Sequence, residues 1–191
     1  MIGKIKTFGK IYFIYNKLDS LIIKNKDDIN KFYELISNQI QLNNIELLYR
    51  SSKDGLGFKS LINKINNKSN LVFLFFTDNK RILGAFIKSK LDNIVHKKYF
   101  KDENAFIFSL NNNKIYKILI PENAIRFYDD NNFIGFGNTG YGNGFYFENY
   151  KAKIYDKGLL VDPKKYDFQK NNELCEGFDK FTELEIINNF Y

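Results

Sequence analysis

Tryptophan is absent from this 191-residue chain, cysteine, histidine and methionine occur once each, and proline occurs twice. A lone cysteine, Cys175, can build neither a disulfide framework nor a cysteine metal cage, and it favours a reducing compartment. A lone histidine, His96, removes His–His metal pairs and the zinc-protease motifs. Arginine is also scarce: Arg50, Arg81 and Arg126 are the only three among 29 basic residues. The formal charge of +7 therefore rests on lysine, and the forked guanidinium that reads base edges is nearly missing. No dense basic stretch is interleaved with aromatics, so nucleic acid is not the expected partner. Two prolines and twelve glycines exclude a collagen-like or low-complexity chain. No apolar run is long enough to span a membrane.

What is present is the material of a core. Hydrophobic residues make up 44% and aromatics 17% of the chain, and a chain of this length fits one domain. The expected division is an N-terminal arm or strand over residues 1–18 and a single domain over 19–191. Met1 to Lys17 carries four lysines and no acid, the composition of a mitochondrial transit peptide. Ile11-Tyr12-Phe13-Ile14-Tyr15 is bulky and β-rich, and Arg and Ser are absent from residues 1–17, so the cytoplasm is the expected location and mitochondrial targeting the lesser alternative. Asn67-Lys68-Ser69 fits a glycosylation triplet of the kind chance produces in an asparagine-rich chain.

Periodicity supplies the elements. Lys10 to Tyr15 reads as a strand or extended arm. Ile29, Phe32, Ile36 and Ile40 predict a helix over Asp27 to Ile40, with Asp27 and Asp28 favourable at its start. Leu47 to Gly55 reads as a strand and a polar turn, and Phe58, Leu61, Ile62 and Ile65 as the stripe of a following helix. Ser52 or Asp54 stands where it would cap that helix. Leu71–Phe76 and Arg81–Lys88 predict a hairpin around Thr77-Asp78-Asn79-Lys80. Leu91 to Phe100 carries no clear period. Ala105–Leu110 and Lys114–Ile120 predict a second hairpin around Asn111-Asn112-Asn113. Further short strands are expected near Ala124–Tyr128, Phe133–Phe136 and Phe145–Phe147, a loop over Lys151 to Asn172, and a closing strand over Phe181–Ile187. Helices first and antiparallel strands after them indicate an α+β fold with a sheet or sandwich core.

Candidate chemistry is thin. Gly135 to Gly140 matches GxGxxG, but a dinucleotide site needs a helix directly after it. Tyr141 to Phe147 instead alternates aromatics and glycines, so Gly135 and Gly137 read as part of a tight β connection. Ser51 or Ser52, Asp54 and His96 supply the residue types of a hydrolase triad without a nucleophile elbow. Asp54-Gly55 reads first as a turn, in which glycine adopts a backbone angle that other residues resist. Cys175 has no CxxC partner or adjacent histidine to activate it. Glu183 and Glu185 share one face of an edge or half-buried strand, with a paired-carboxylate site the lesser reading. No cofactor and no metal are expected, and no convincing catalytic constellation.

These segments together resemble a TLDc domain. Leu47 to Gly55 with Phe58 resembles the family's leucine-tyrosine-x-x-serine-x-aspartate-glycine opening, and Ser51, Asp54, Gly55 and Phe58 are the candidate residues within that segment. Leu83-Gly84-Ala85-Phe86 resembles the central hairpin's glycine before an aromatic. Asn104 to Leu110, with Phe106 and Phe108, resembles the family's AFIFSL strand. Glu122-Asn123-Ala124-Ile125, the glycine-rich Ile134 to Gly144 (Gly135 and Gly137) and the closing Glu183-Leu184-Glu185-Ile186 follow in order, over Asp19 to Phe190. The chain departs at Lys90-Leu91, where a tryptophan is common, over Lys151 to Asn172, and at its last four residues. The resemblance implies two antiparallel sheets packed as a sandwich flanked by helices. It also implies a link to oxidative-stress resistance and binding to the soluble sector of the vacuolar-type proton ATPase (V-ATPase), with no cofactor or catalytic mechanism. The motif residues are then mainly structural, and the expected function is a non-enzymatic interaction module. The rivals are a structural or scaffolding subunit of another complex and a weak antioxidant enzyme using the Cys175 thiol.

Overall fold

A computed structural model describes residues 18–55, 57–95, 98–128, 133–136, 146–148, 151–153 and 181–190. The first helix, α1 (Lys26–Ser37), starts where the Asn25 side chain accepts the Asp28 N–H at 2.8 Å, with Asp27 and Asp28 in the first turn. Ile29, Phe32, Tyr33 and Ile36 form its buried stripe. The helix ends three residues before the expected Ile40, with Asn38 at its C-cap. Ile40 lies beyond the helix yet still packs against the same apolar cluster.

Strand β1 (Asn44–Arg50) leads into a single helical turn, α2 (Ser51–Asp54), and then α3 (Phe58–Ile65). Strands β2 (Leu71–Thr77) and β3 (Ile82–Ile87) form the first expected hairpin, and β5 (Phe106–Ser109) and β6 (Lys114–Lys117) the second. Lys80 and Asn113 take φ of 59° and 49° in the two turns. The turns are tied together, because Asn111 Oδ1 accepts the Ile82 N–H at 2.8 Å. Strands β4 (Tyr99–Phe100), β7 (Ile125–Tyr128) and β8 (Phe133–Phe136) form a second sheet. Strand β9 (Tyr146–Glu148) pairs with β10 (Lys151–Lys153), so the stretch read as loop from Lys151 begins in a strand.

The closing strand, β11 (Phe181–Phe190), is longer than expected and is not an edge. The main sheet runs β1-β11-β2-β3-β5-β6, so β11 lies between β1 and β2, antiparallel to both. Alternation along β2 shows why its sequence is apolar from Leu71 to Phe76. Leu71, Phe73 and Phe75 join one core cluster, while Val72 and Leu74 join the other. A sheet covered on both faces loses the apolar–polar alternation of a half-exposed one.

On the first face the main sheet packs on the β4-β7-β8 sheet, through Phe100, Ile125, Phe127, Ile134 and Phe136, and on α3 through Leu61 and Ile65. The Phe73 and Phe136 rings meet edge to face, 5.2 Å apart. On the second face α1 and residues 18–23 cover Phe86, Phe106, Phe108 and Ile187. Phe86 and Phe106 stack at 5.1 Å, and Phe32 of α1 lies 6.2 Å from Phe108. Gly84 lets this layer close: a Cβ there would lie 2.6 Å from the Phe73 carbonyl oxygen and closer still to Phe108 Cζ. The architecture is thus α+β, two antiparallel sheets in a sandwich with helices on both sides. Among the described residues no helix is long and apolar enough to cross a membrane.

Candidate functional site

The polar residues singled out from the sequence converge at the junction of β1, α2 and β11. Along β11, Glu183 and Glu185 alternate with Leu184 and Ile186, which point into the sandwich. The expectation of an edge or half-buried strand fails here: Glu185 is 0% exposed and Glu183 is 8% exposed. Each carboxylate is held by donors brought from distant parts of the chain, as burial of a charge requires.

Glu185 accepts from three donors. Arg50 Nε reaches Oε1 at 2.8 Å, the Leu21 N–H reaches the same oxygen at 2.8 Å, and Ser20 Oγ reaches Oε2 at 2.5 Å. Arg50 also donates to the Asp19 carbonyl oxygen and lies 3.4 Å from the Asp19 carboxylate. Burial alone would lower the Arg50 pKa. The hydrogen bond and charge of Glu185, followed by Asp19, outweigh it, so the guanidinium is held above its ordinary value. One buried ion pair thereby fastens residues 19–21 onto the sheet.

Glu183 holds the start of α2. Its Oε1 accepts from Ser51 Oγ at 2.5 Å and from the Ser52 N–H at 3.1 Å. Ser51 Oγ in turn accepts the Leu184 N–H at 2.9 Å. Burial pushes the Glu183 pKa up, but these hydrogen bonds win and hold the carboxyl below its ordinary value. The Ser51 hydroxyl is thus engaged both as donor and as acceptor. The carboxylate it faces is a weakened base, the reverse of what an activated nucleophile needs.

Asp54 does not cap α3, nor does Ser52; the N-cap of that helix is Gly57, with no side-chain hydrogen bond. Asp54 Oδ2 instead accepts the Arg50 N–H at 2.8 Å, turning back on α2 in the manner of a capping box. Its other oxygen lies 3.5 Å from Lys64 Nζ. Its carbonyl accepts from Ser60 Oγ at 2.8 Å, which joins α2 to α3. Gly55 has φ of +84° and open space where a Cβ would stand, so the backbone angle alone calls for glycine. Tyr49 Oη donates to the Gly55 carbonyl at 2.5 Å. Burial raises the Tyr49 hydroxyl pKa above its ordinary value, and the charges of Asp54 and Glu183 add to the rise.

The remaining motif residues lie elsewhere. Phe58 opens α3, and its side chain lies outside the described residues. Gly84, Phe106 and Phe108 belong to the second-face core. Gly135 is buried inside β8 opposite Arg126, so the GxGxxG match begins within a strand. Gly137, His96 and Cys175 lie outside the described residues, as does Lys10–Tyr15. Among the described residues no group of three or more metal-ligating side chains converges.

Sequence reasoning missed Arg50, Asp19 and Ser20 as partners of the carboxylates. A signal existed for the first. Arg50 is one of only three arginines in a lysine-rich chain, and the rigid fork of arginine suits a buried pair better than lysine does.

Fold and site define a class: an antiparallel sandwich whose opening motif and closing strand are locked together by buried carboxylates. The TLDc domain family model matches residues 17–185, and the chain belongs to that family. No curated protein matches the chain.

Proposed function

We propose that the chain is a non-enzymatic interaction module of the TLDc family, docking on a larger assembly. The soluble sector of the V-ATPase is the leading partner, by analogy with the family, and oxidative-stress resistance the process it serves. The observation that carries this reading is the state of the Ser51–Glu183 pair. Both groups are spent on internal hydrogen bonds that join α2 to β11, so these polar residues of the opening and closing segments serve the fold and leave function to the surface.

Affinity purification of the tagged chain followed by mass spectrometry tests the reading. Recovery of rotary ATPase soluble subunits is the expected result. Recovery of a different, unrelated assembly would favour a scaffolding subunit and overturn the V-ATPase assignment. Peroxide consumption by the purified chain that is abolished in Cys175→Ser would overturn the non-enzymatic reading.

A further inference from the structure

The clasp at Glu185 has an outward consequence. By holding the Ser20 hydroxyl and the Leu21 N–H, it fixes the segment that forms one wall of a surface pocket of about 270 Å³. The floor is apolar, with Ile22, Ile82 and Leu110 all buried. Leu21 stands at the wall 41% exposed, one of three exposed large hydrophobic residues among those described. Lys24, Lys31 and Lys80 also line it, each exposed and none in an ion pair with another described residue. Asp28 is the one carboxylate among the described lining residues, and it already accepts from Asn25 Nδ2 at 2.7 Å.

Three ammonium groups around an apolar floor complement a ligand that is anionic outside and apolar at its centre. The pocket is smaller than the roughly 300–1,000 Å³ of small-molecule sites, and it suits one side chain of a larger partner. We infer that this pocket is a docking surface for an acidic peptide segment, seating one large apolar side chain beside Leu21 while its carboxylates meet Lys24, Lys31 and Lys80. The inference rests on the interaction-module reading and names the surface that reading needs.

Fluorescence polarisation with a labelled synthetic peptide alternating Glu with Leu and Phe tests it on the full chain. Binding should be saturable and should weaken about tenfold or more in Lys24→Glu/Lys31→Glu/Lys80→Glu. Leu21→Ser should weaken it as well. The matched reversal Lys53→Glu/Lys59→Glu/Lys90→Glu alters exposed lysines outside the pocket, carries the same net charge, and should leave binding in place. Equal weakening by both triple variants, or equal binding of a peptide of Glu and Ser only, would show bulk charge and overturn the inference. So would unchanged peptide binding in the pocket variant with loss of binding to phosphatidylserine vesicles, which would assign the lysines to a membrane surface. Used as baits, the pocket variant should lose the partner that the control variant keeps. Retention by the pocket variant overturns this surface and leaves the module reading standing. If the unaltered chain retrieves no assembly, the module reading fails, and the peptide titration still decides the pocket.

Discussion

Single residues at the junction of β1, α2 and β11 carry energies that can be separated by titration. Glu183 has a pKa below its ordinary value of 4.5 in the folded chain. Its stabilising contribution is therefore complete above that ordinary value and is lost as pH falls through the lower, folded one. Glu183→Gln should destabilise the chain near neutral pH by about 1–3 kcal/mol, through hydrogen bonds that lose a charged acceptor. The gap to the unaltered chain should narrow as pH drops below 4.5. Urea midpoints measured across that window check it; a gap independent of pH would mean that Glu183 is not ionised in the folded state. Gly84 gives a second case. Gly84→Ala should cost about 1–3 kcal/mol by overpacking, read as a lower melting temperature. Trimming Phe108 to Leu in the same chain should not restore stability, because the Phe73 carbonyl oxygen, 2.6 Å from the new Cβ, is backbone.

Among the elements, the segment at 18–23 is tied to the main sheet through the Arg50–Glu185 pair. Arg50→Met leaves the Glu185 carboxylate buried without its cation, a change that costs about 3–5 kcal/mol in comparable sites. The loss should be felt first at the Leu21 amide, whose hydrogen bond runs to Glu185. Amide exchange there should accelerate more than exchange in β2, and uniform acceleration would show that the segment has no separate opening. What was legible at this scale was local. The second hairpin was readable because its turn is asparagine, which tolerates the positive φ found at Asn113, and the first because two β-rich runs flank a short polar stretch; the positive φ at Lys80 carries no sequence signal. The α1 stripe was readable because it covers one face only. The place of β11 was not readable, since Leu184 and Glu185 pair with residues more than a hundred positions earlier and no local pattern records that. Glu183 and Glu185 read as one face of an edge or half-buried strand for the same reason. A carboxylate flanked by apolar neighbours reads as exposed until its donors are known, and Ser20, Arg50 and Ser51 come from distant sequence.

In the whole molecule, two cores share one sheet and are supplied by different parts of the chain. Among the described residues, the second-face cover comes almost wholly from residues 18–42, with α1 at its centre. A chain starting at Asn44 should keep its strands yet expose Val72, Leu74, Phe86, Phe106 and Phe108 together, all buried in the intact fold. An apolar patch of that kind drives association. Dye binding to apolar surface and size-exclusion chromatography should show a sticky, oligomeric species; a monomer that melts cooperatively without dye binding would mean that α1 is an accessory.

The position of β11 also sets a timetable for synthesis. Strand β1 is joined to the rest of its sheet through β11, so residues 44–50 leave the ribosome long before their neighbour at 181–190 exists. At about 5–20 residues per second, the interval is on the order of ten seconds. Throughout it, Arg50 lacks Glu185 and the edge of β2 that β11 will occupy stands open. During synthesis the chain thus carries an unpaired, aggregation-prone edge until β11 slides between the two strands that have been waiting for it.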